Sequence, residues 1–278
     1  MNRTVVTRLC DDRIEIMTIT LERLELCNYR LFAGRHVIDF APGLTSIRGD
    51  HASGKTTIAE AIAWVLCDDP DARYVAPMLG RERLNGELEG HGDAMAAVSI
   101  RVEKTPITVT RTLGGGRHAA WNHHFPPFIA PLFFSSYFRE DAVGRAPHLL
   151  RRLEARDRRA VPGLFEEMHA RLRGTGDPEV TLRLEPFAVR SMPESLQGRT
   201  IVNLALAWAL AKASRAELPF IYDEPLGIFD LEHRRRVEEH LLRGGDQVLA
   251  LSRESIPAAR HYEIEASEFI AIASVYRR

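Results

Sequence analysis

The run Gly49-Asp50-His51-Ala52-Ser53-Gly54-Lys55-Thr56-Thr57 has the composition and spacing of a phosphate cradle. Its two glycines let the backbone turn its N–H groups inward, and a cation and a hydroxyl follow at once. In the pattern Gly-x-x-x-x-Gly-Lys-Thr, the lysine reaches the β- and γ-phosphates of a nucleoside triphosphate and the threonine hydroxyl ligates Mg²⁺. The pattern is a P-loop, and it requires a strand before it and a helix after it, whose positive dipole end faces the phosphates.

A second group lies far downstream. Leu218–Tyr222 is a short apolar run that ends in Asp223-Glu224. Two acids after an apolar strand also fit a capped loop. With a P-loop upstream, Asp223 reads as the Mg²⁺ carboxylate, usually acting through water, and Glu224 as the general base for an attacking water.

The elements that must position these groups follow from periodicity. Thr18–Leu26 alternates as a strand, with one slip in phase between Leu21 and Leu24. His36–Phe40 and Leu44–Ile47 are two more strands, with Pro42-Gly43 as a turn. Ile58, Ala61, Ile62, Val65 and Leu66 recur at helical spacing, so a helix follows the glycine loop. Residues 72–93 read as loop, Ala96–Val102 and Ile107–Leu113 as a hairpin, and Arg145–Arg173 as an arginine-rich helix. Val180–Val189 reads as one strand, Thr200–Ser214 as an apolar helix, Leu231–Leu242 as a charged helix and Gln247–Leu251 as a last core strand. Strands alternating with helices predict an α/β fold with a mostly parallel core sheet, flanking helices and a small antiparallel β subdomain.

Composition bounds the function. Of the 278 residues, 45% are hydrophobic and 27% charged, and the net charge is −1, which suits a sizeable α/β head but sets up no global field toward nucleic acid. Any such contact has to be a local patch. Cys10, Cys27 and Cys67 form no C-x-x-C pair, which argues against a disulfide framework or a cysteine zinc site and fits a reducing cytoplasm. No run approaches the ~20 apolar residues of a membrane helix. Arg8, Asp11, Asp12 and Arg13 precede any long apolar stretch, so the start does not read as a signal peptide. Residues 1–17 are a candidate tail, with Met17 a candidate start.

Asp223-Glu224-Pro225 with Asp230 beyond resembles the Walker B and D-loop of ABC-type ATPases. The front end narrows this. Leu24-Glu25-Leu26-Cys27-Asn28-Tyr29-Arg30, then Ile38-Asp39-Phe40, Gly43-Leu44-Thr45, the P-loop and Glu60-Ala61-Ile62 are similar to the SMC, RecF and SbcC branch. The resemblance covers about residues 18–70 and 180–255. It implies a head domain over 18–278 that binds ATP and Mg²⁺, with 114–180 a short insertion where SMC proteins carry a coiled coil. No heptad run is sustained here.

The resemblance also assigns roles. Glu194-Ser195-Leu196-Gln197-Gly198-Arg199 resembles the signature segment, which in the family contacts ATP on the opposite head. Ser195 falls on the family serine, while Leu196 and Gln197 replace the two glycines expected after it. A plain helix N-cap by Ser195 or Thr200 is the other reading of this segment. Arg30, Ser195 and Asp230 join the nucleotide-contacting set. Tyr137-Phe138-Arg139-Glu140 takes the position of the Q-loop without its glutamine, since Gln197 and Gln247 are the only glutamines. Leu251-Ser252-Arg253-Glu254 puts Arg253 where the family has a switch histidine. An arginine there donates to a phosphate but does not exchange protons.

The expected function is therefore a slow ATPase acting through ATP-dependent dimerisation, as a homodimer or heterodimer of heads, on DNA in repair, recombination or antiphage defence. A nuclease or other effector subunit is an expected partner, and a membrane is not. An ATP-sensing switch that regulates an effector is the alternative, and a transporter subunit is a more distant one. The arginines of 145–173 read either as a DNA or partner surface or as a solvated face laced with ion pairs. His118, His123 and His124 read as loop histidines rather than metal ligands.

Overall fold

The computed structural model describes residues 17–66, 94–112, 116–119, 142–214, 216–266 and 273–277. Strand β1 (Met17–Tyr29) is the spine of an antiparallel sheet. Beside it run β2 (Phe32–Asp39) on one edge and β4 (Met95–Val102), β5 (Thr105–Thr112) and β6 (Gly116–Ala119) on the other. The phase slip is a β-bulge: the register of β1 on β4 shifts between Leu21 and Arg23. Ile19, Leu21, Leu24 and Leu26 therefore all stay buried on one face.

The second sheet carries β3 (Leu44–Gly49) in its middle. On one side lie β11 (Val248–Ser252) and β10 (Phe220–Asp223), and on the other β12 (Arg260–Ala266) and β13 (Ala273–Arg277). Strands β10, β11, β3 and β12 are parallel, and β13 is antiparallel at the edge. All five residues of β11 are buried, as expected for a parallel strand covered on both faces.

Helix α1 (Lys55–Leu66) lies between the sheets, against β4 and β5 of one and β3, β10 and β11 of the other. Every residue of α1 is buried except Thr56 and Glu60. Helices α2 (Ala142–Arg152) and α3 (Ala155–Leu172) pack on α4 (Leu196–Ala213), which is buried on most of its circumference. A hairpin of β7 (Thr181–Leu184) and β8 (Phe187–Arg190) precedes α4, and the short β9 (Ala216–Glu217) joins β1 in parallel. Helix α5 (Leu231–Val237) continues into a π-helical turn at Glu238–Leu242.

The expected α/β fold with its parallel core sheet stands, with several differences of detail. The antiparallel sheet is the larger of the two, not a small appendage, because β1 recruits partners on both sides. The arginine-rich helix is two helices, broken at Leu153-Glu154, and the single strand expected at 180–189 is the β7–β8 hairpin turning at Glu185-Pro186. Strands β12 and β13 were not expected. The loop reading of 72–93 and the Q-loop position at Tyr137–Glu140 lie outside the described residues.

Among the described residues, the side chains of Gln247 and Tyr262 join the sheets. Gln247 Oε1 accepts from Leu21 N–H at 2.7 Å, and its Nε2 donates to Leu21 O and Ala41 O, each at 2.7 Å. Tyr262 O–H donates to Asp39 O at 3.0 Å and accepts from Asp39 N–H at 2.9 Å. Gln247→Leu keeps the volume of the side chain but leaves these backbone groups of Leu21 and Ala41 without it. It should cost about 1–3 kcal/mol in urea unfolding. A loss below roughly 0.5 kcal/mol would show that the joint is replaceable by water.

Candidate functional site

The phosphate-type loop leaves the end of β3 at Gly49 and enters α1 at Lys55. Its tight path uses two left-handed residues, Ala52 at φ 61° and Gly54 at φ 102°. A Cβ on Gly49 would fall 2.4 Å from Ser53 Oγ, and one on Gly54 would fall 3.1 Å from Phe32 Cζ. Gly54 is required by its φ, which L side chains rarely adopt, while a side chain at Gly49 would have to turn Ser53 Oγ aside and press on Ile264 O at 3.1 Å. Ser53 Oγ is buried with no hydrogen-bond partner among the described residues. A buried orphan hydroxyl in this loop fits a ligand oxygen as its partner.

The lysine is buried at 6% exposure. Its Nζ donates to Gly49 O and Asp50 O, each at 2.7 Å, and lies 3.3 Å from Glu224 Oε1. Thr56 Oγ1 donates to Asp223 Oδ2 at 2.7 Å. The two motifs, 167 positions apart, thus meet through both of their polar pairs. The topology explains it: β3, β11 and β10 are parallel neighbours, so their C-terminal ends open on one side of the sheet.

Glu224 sits just past β10 at φ 50°, a left-handed conformation that costs a non-glycine residue energy. Its N–H donates to Leu251 O at 2.7 Å, which holds the strained residue against β11. Arg253 N–H reaches Glu224 Oε2 at 3.3 Å, and Arg253 Nε lies 3.7 Å from Oε1. The carboxylate is thus held between Lys55 and Arg253.

Arg30 is placed differently from the rest of the set. It ion-pairs with Glu60 of α1, and its guanidinium lies 5.9 Å from the centre of the Tyr29 ring. Asp50 and His51 are exposed on the loop. Thr57 is buried in α1.

Ser195 and Asp230 form a second group. Ser195 is the N-cap of α4, its Oγ accepting from Gly198 N–H at 3.0 Å, so the hydroxyl proton stays available to donate elsewhere. Thr200 instead donates to Leu196 O inside the helix. Asp230 is the N-cap of α5, accepting from His233 N–H at 3.0 Å. Bonds from the His233 backbone and ring and from Gln197 hold the Asp230 carboxyl well below its ordinary pKa. Gln197 Nε2 donates to Asp230 Oδ2 at 3.1 Å, and Gln197 Oε1 accepts from Asp230 N–H at 2.9 Å, so the two segments are tied within one chain.

Sequence reasoning missed Glu60 as the partner of Arg30, and it missed His233 and Asp177 altogether. Asp177 Oδ2 lies 2.7 Å from His233 Nε2. His233 stands in a charged helix with no motif around it, so no spacing pointed to it. Of the histidines read as loop residues, His118 stands in strand β6 opposite Thr110 and not in a loop, its side chain lying outside the described residues, as do His123 and His124. Among the described residues no helix is long and apolar enough to cross a membrane.

Comparison with known proteins fits this geometry. A family model described as an AAA domain matches residues 23–119. Chromosome partition protein Smc of Chlorobaculum tepidum is 34% identical over 83 residues, which is 30% of this chain and 7% of that protein. The Smc of Bacillus subtilis is 44% identical over 46 residues, 16% of this chain and 4% of that protein. The chain thus matches only a small part of the length of those relatives. Among solved structures, the Smc head bound to the C-winged helix domain of ScpA superposes with a TM-score of 0.66 at 16% identity, covering 93% of this chain and 97% of that one. The SMC head domain from Thermotoga maritima gives 0.58 at 18% identity, covering 93% and 99%. At these identities the structural likeness speaks for the fold.

Proposed function

With the chain an SMC-like, ABC-type P-loop ATPase head, we propose that it binds and slowly hydrolyses ATP with Mg²⁺ at the Gly49–Thr57 loop, and that ATP joins two heads. The observation that carries this reading is the meeting of Lys55 with Glu224 and of Thr56 with Asp223. Lys55 would exchange the Gly49 and Asp50 carbonyls for β- and γ-phosphate oxygens. Thr56 and Asp223 would hold Mg²⁺, which neutralises charge on the transferring phosphoryl group. Glu224 would orient a water and take its proton, and Arg253 would steady that carboxylate and donate to the phosphate.

Dimerisation has a surface to use. Leu196, Ile228 and Leu231 are exposed at 61%, 36% and 85%, and they flank Ser195 and Asp230. Exposed apolar side chains beside the exposed N-caps Ser195 and Asp230 suit a second head, identical or related. DNA is the proposed substrate of the assembled pair, in repair, recombination or defence. Arg151, Arg156 and Arg159 on α2 and α3 are exposed, with Glu154 exposed among them, and would supply a local cationic surface. A partner subunit on the head, a nuclease or other effector, belongs to the same proposal, as does a place in the cytoplasm. Residues 114–180 would take the place of the coiled coil. Leu196 and Gln197 in the signature segment favour a second reading, an ATP-sensing switch with little turnover, because a leucine and a tied glutamine hinder close backbone approach to a phosphate.

Two experiments test this. Lys55→Ala should abolish ATP binding in calorimetry. Glu224→Gln should retain it and accumulate an ATP-dependent dimer in light scattering. A Lys55→Ala protein that binds ATP like the wild type would refute the site. For DNA, fluorescence anisotropy with ATP across a salt series should show affinity falling steeply with salt. Joint replacement of Arg151, Arg156 and Arg159 by glutamate should weaken binding while leaving ATP affinity unchanged. Absence of binding at low salt would favour the switch reading.

A further inference from the structure

His233 lies in the first turn of α5 at 5% exposure, and each of its ring nitrogens faces a carboxylate. Nδ1 is 2.8 Å from Asp230 Oδ1, and Nε2 is 2.7 Å from Asp177 Oδ2. A neutral imidazole has one N–H, so one of these contacts would set a lone pair against a carboxylate. An imidazolium donates to both; Gly174 N–H, 3.1 Å from Nε2, and Gln197 Nε2, 2.9 Å from Nδ1, then donate to Asp177 Oδ2 at 2.7 Å and to Asp230 Oδ2 at 3.1 Å rather than to the ring.

The three carboxyl-bearing or polar partners come from three different segments. Asp230 belongs to the D-loop-like turn. Gln197, from the signature-like segment, holds Asp230 through the two bonds given above, and its Nε2 stands 2.9 Å from His233 Nδ1. Asp177 closes the turn that follows α3, where it also accepts from Gly174 N–H at 2.7 Å. A Cβ on Gly174 would fall 2.7 Å from His233 Cε1, so the glycine is what admits the ring. Glu232 strengthens the same joint, accepting from Thr175 N–H at 3.0 Å and from Arg236. Phe229 stacks over the ring at 6.3 Å between centroids. His169 of α3 is the other titratable group near Asp177, and burial pushes its own pKa down.

We propose that His233, as an imidazolium, is a positioning residue that clamps the signature segment, the D-loop turn and the turn at 174–177 into one unit. Through that unit the helices α2 and α3 are mechanically connected to the face carrying Ser195 and Asp230. The proposal rests on the reading of that face as the one that meets ATP on a second head. It names a control for that encounter: the clamp sets whether Ser195 and Asp230 stand in a fixed relation when the second head arrives.

Burial opposes the charged ring, but the bonds from Asp177 and Asp230 outweigh it, and the His233 pKa lies above its ordinary value. Asp177 is held below its ordinary value, the bonds from His233 and Gly174 outweighing burial. A group raised on folding stabilises the fold below its unfolded pKa, about 6.5 for histidine, and that contribution fades as pH rises through the folded value. The clamp is therefore closed at mildly acidic pH and opens on the alkaline side of 6.5.

NMR on the full chain, following the His233 ring together with the amides of Gly174, Gln197 and Asp230 from acid to alkaline pH, reads the clamp directly. The ring and the three amides should share one midpoint above roughly 6.5. In the wild type kcat for ATP should change through the same midpoint, and His233→Gln should abolish both the shared transition in the amides and that change in kcat, with KM for ATP unchanged. Asp177→Asn, which leaves the ring in place, should lower the midpoint, because it removes one of the two carboxylates that favour the charged ring. It also serves if the glutamine variant does not fold. A ring midpoint at or below 6.5, or amides of Gln197 and Asp230 that do not follow it, would overturn the clamp. Lack of ATP binding by the wild type in calorimetry would instead overturn the ATPase reading, while the NMR midpoints still decide the clamp.

Discussion

A buried ammonium has to be met by oxygen on every side, and the Lys55 side chain imposes that demand on the whole molecule. Two of its acceptors, Gly49 O and Asp50 O, are backbone carbonyls that turn inward only because the loop folds tightly over left-handed residues. The third, Glu224, arrives from a distant strand. For Glu224 to arrive there, β10 must lie parallel to β3 with β11 between them, and α1 must be held rigidly at the other end of the loop. The two sheets that enclose α1 supply that rigidity. Its buried residues leave Thr56 and Glu60 as the polar exits, and each has a partner: Asp223 for Thr56, Arg30 for Glu60.

What was legible in the sequence was whatever is periodic or local. The loop at 49–57 declares itself because each residue type answers to one steric or electrostatic need within a few positions. The β1 bulge was visible as a slip in alternation because a bulge inserts one residue and returns the apolar side chains to the same face. The break between α2 and α3 was not visible, because Arg151, Arg152, Glu154 and Arg156 read the same in one helix or two. Strands β12 and β13 were missed for a different reason. In Arg260–Ala266 the apolar Tyr262, Ile264 and Ala266 alternate with His261, Glu263 and Glu265, a strand pattern that was passed over because it is short and lies beyond the last recognised motif; Tyr262 and Ile264 are buried beside β3.

The second polar group shows a limit of motif reading. Ser195 and Asp230 were found by position in a resemblance, but what organises them was not. His233 gathers groups 36 and 56 positions away, and none of these spacings belongs to a pattern. The one hint was compositional. A chain with two glutamines places both at joints, Gln247 between the sheets and Gln197 between two loops.

The two glutamine joints differ in what surrounds them, and the difference fits their places. Gln247 lies partly buried, and its three bonds serve backbone groups that have no better access to water. Losing it strands those groups, so this joint belongs to the permanent frame. Gln197 binds Asp230 at the surface, where water competes for the same carboxylate and backbone N–H at little cost. A bond of that kind exchanges readily. The buried element beneath it is the His233 ring, whose bonds to Asp177 and Asp230 are charge-assisted and therefore stronger than neutral ones. The arrangement puts an exchangeable contact on the face that would meet a second head and a titratable one behind it. A change in either His233 protonation or the position of the 174–177 turn then alters the relation of Ser195 to Asp230 without disturbing the frame that holds Lys55 and Glu224.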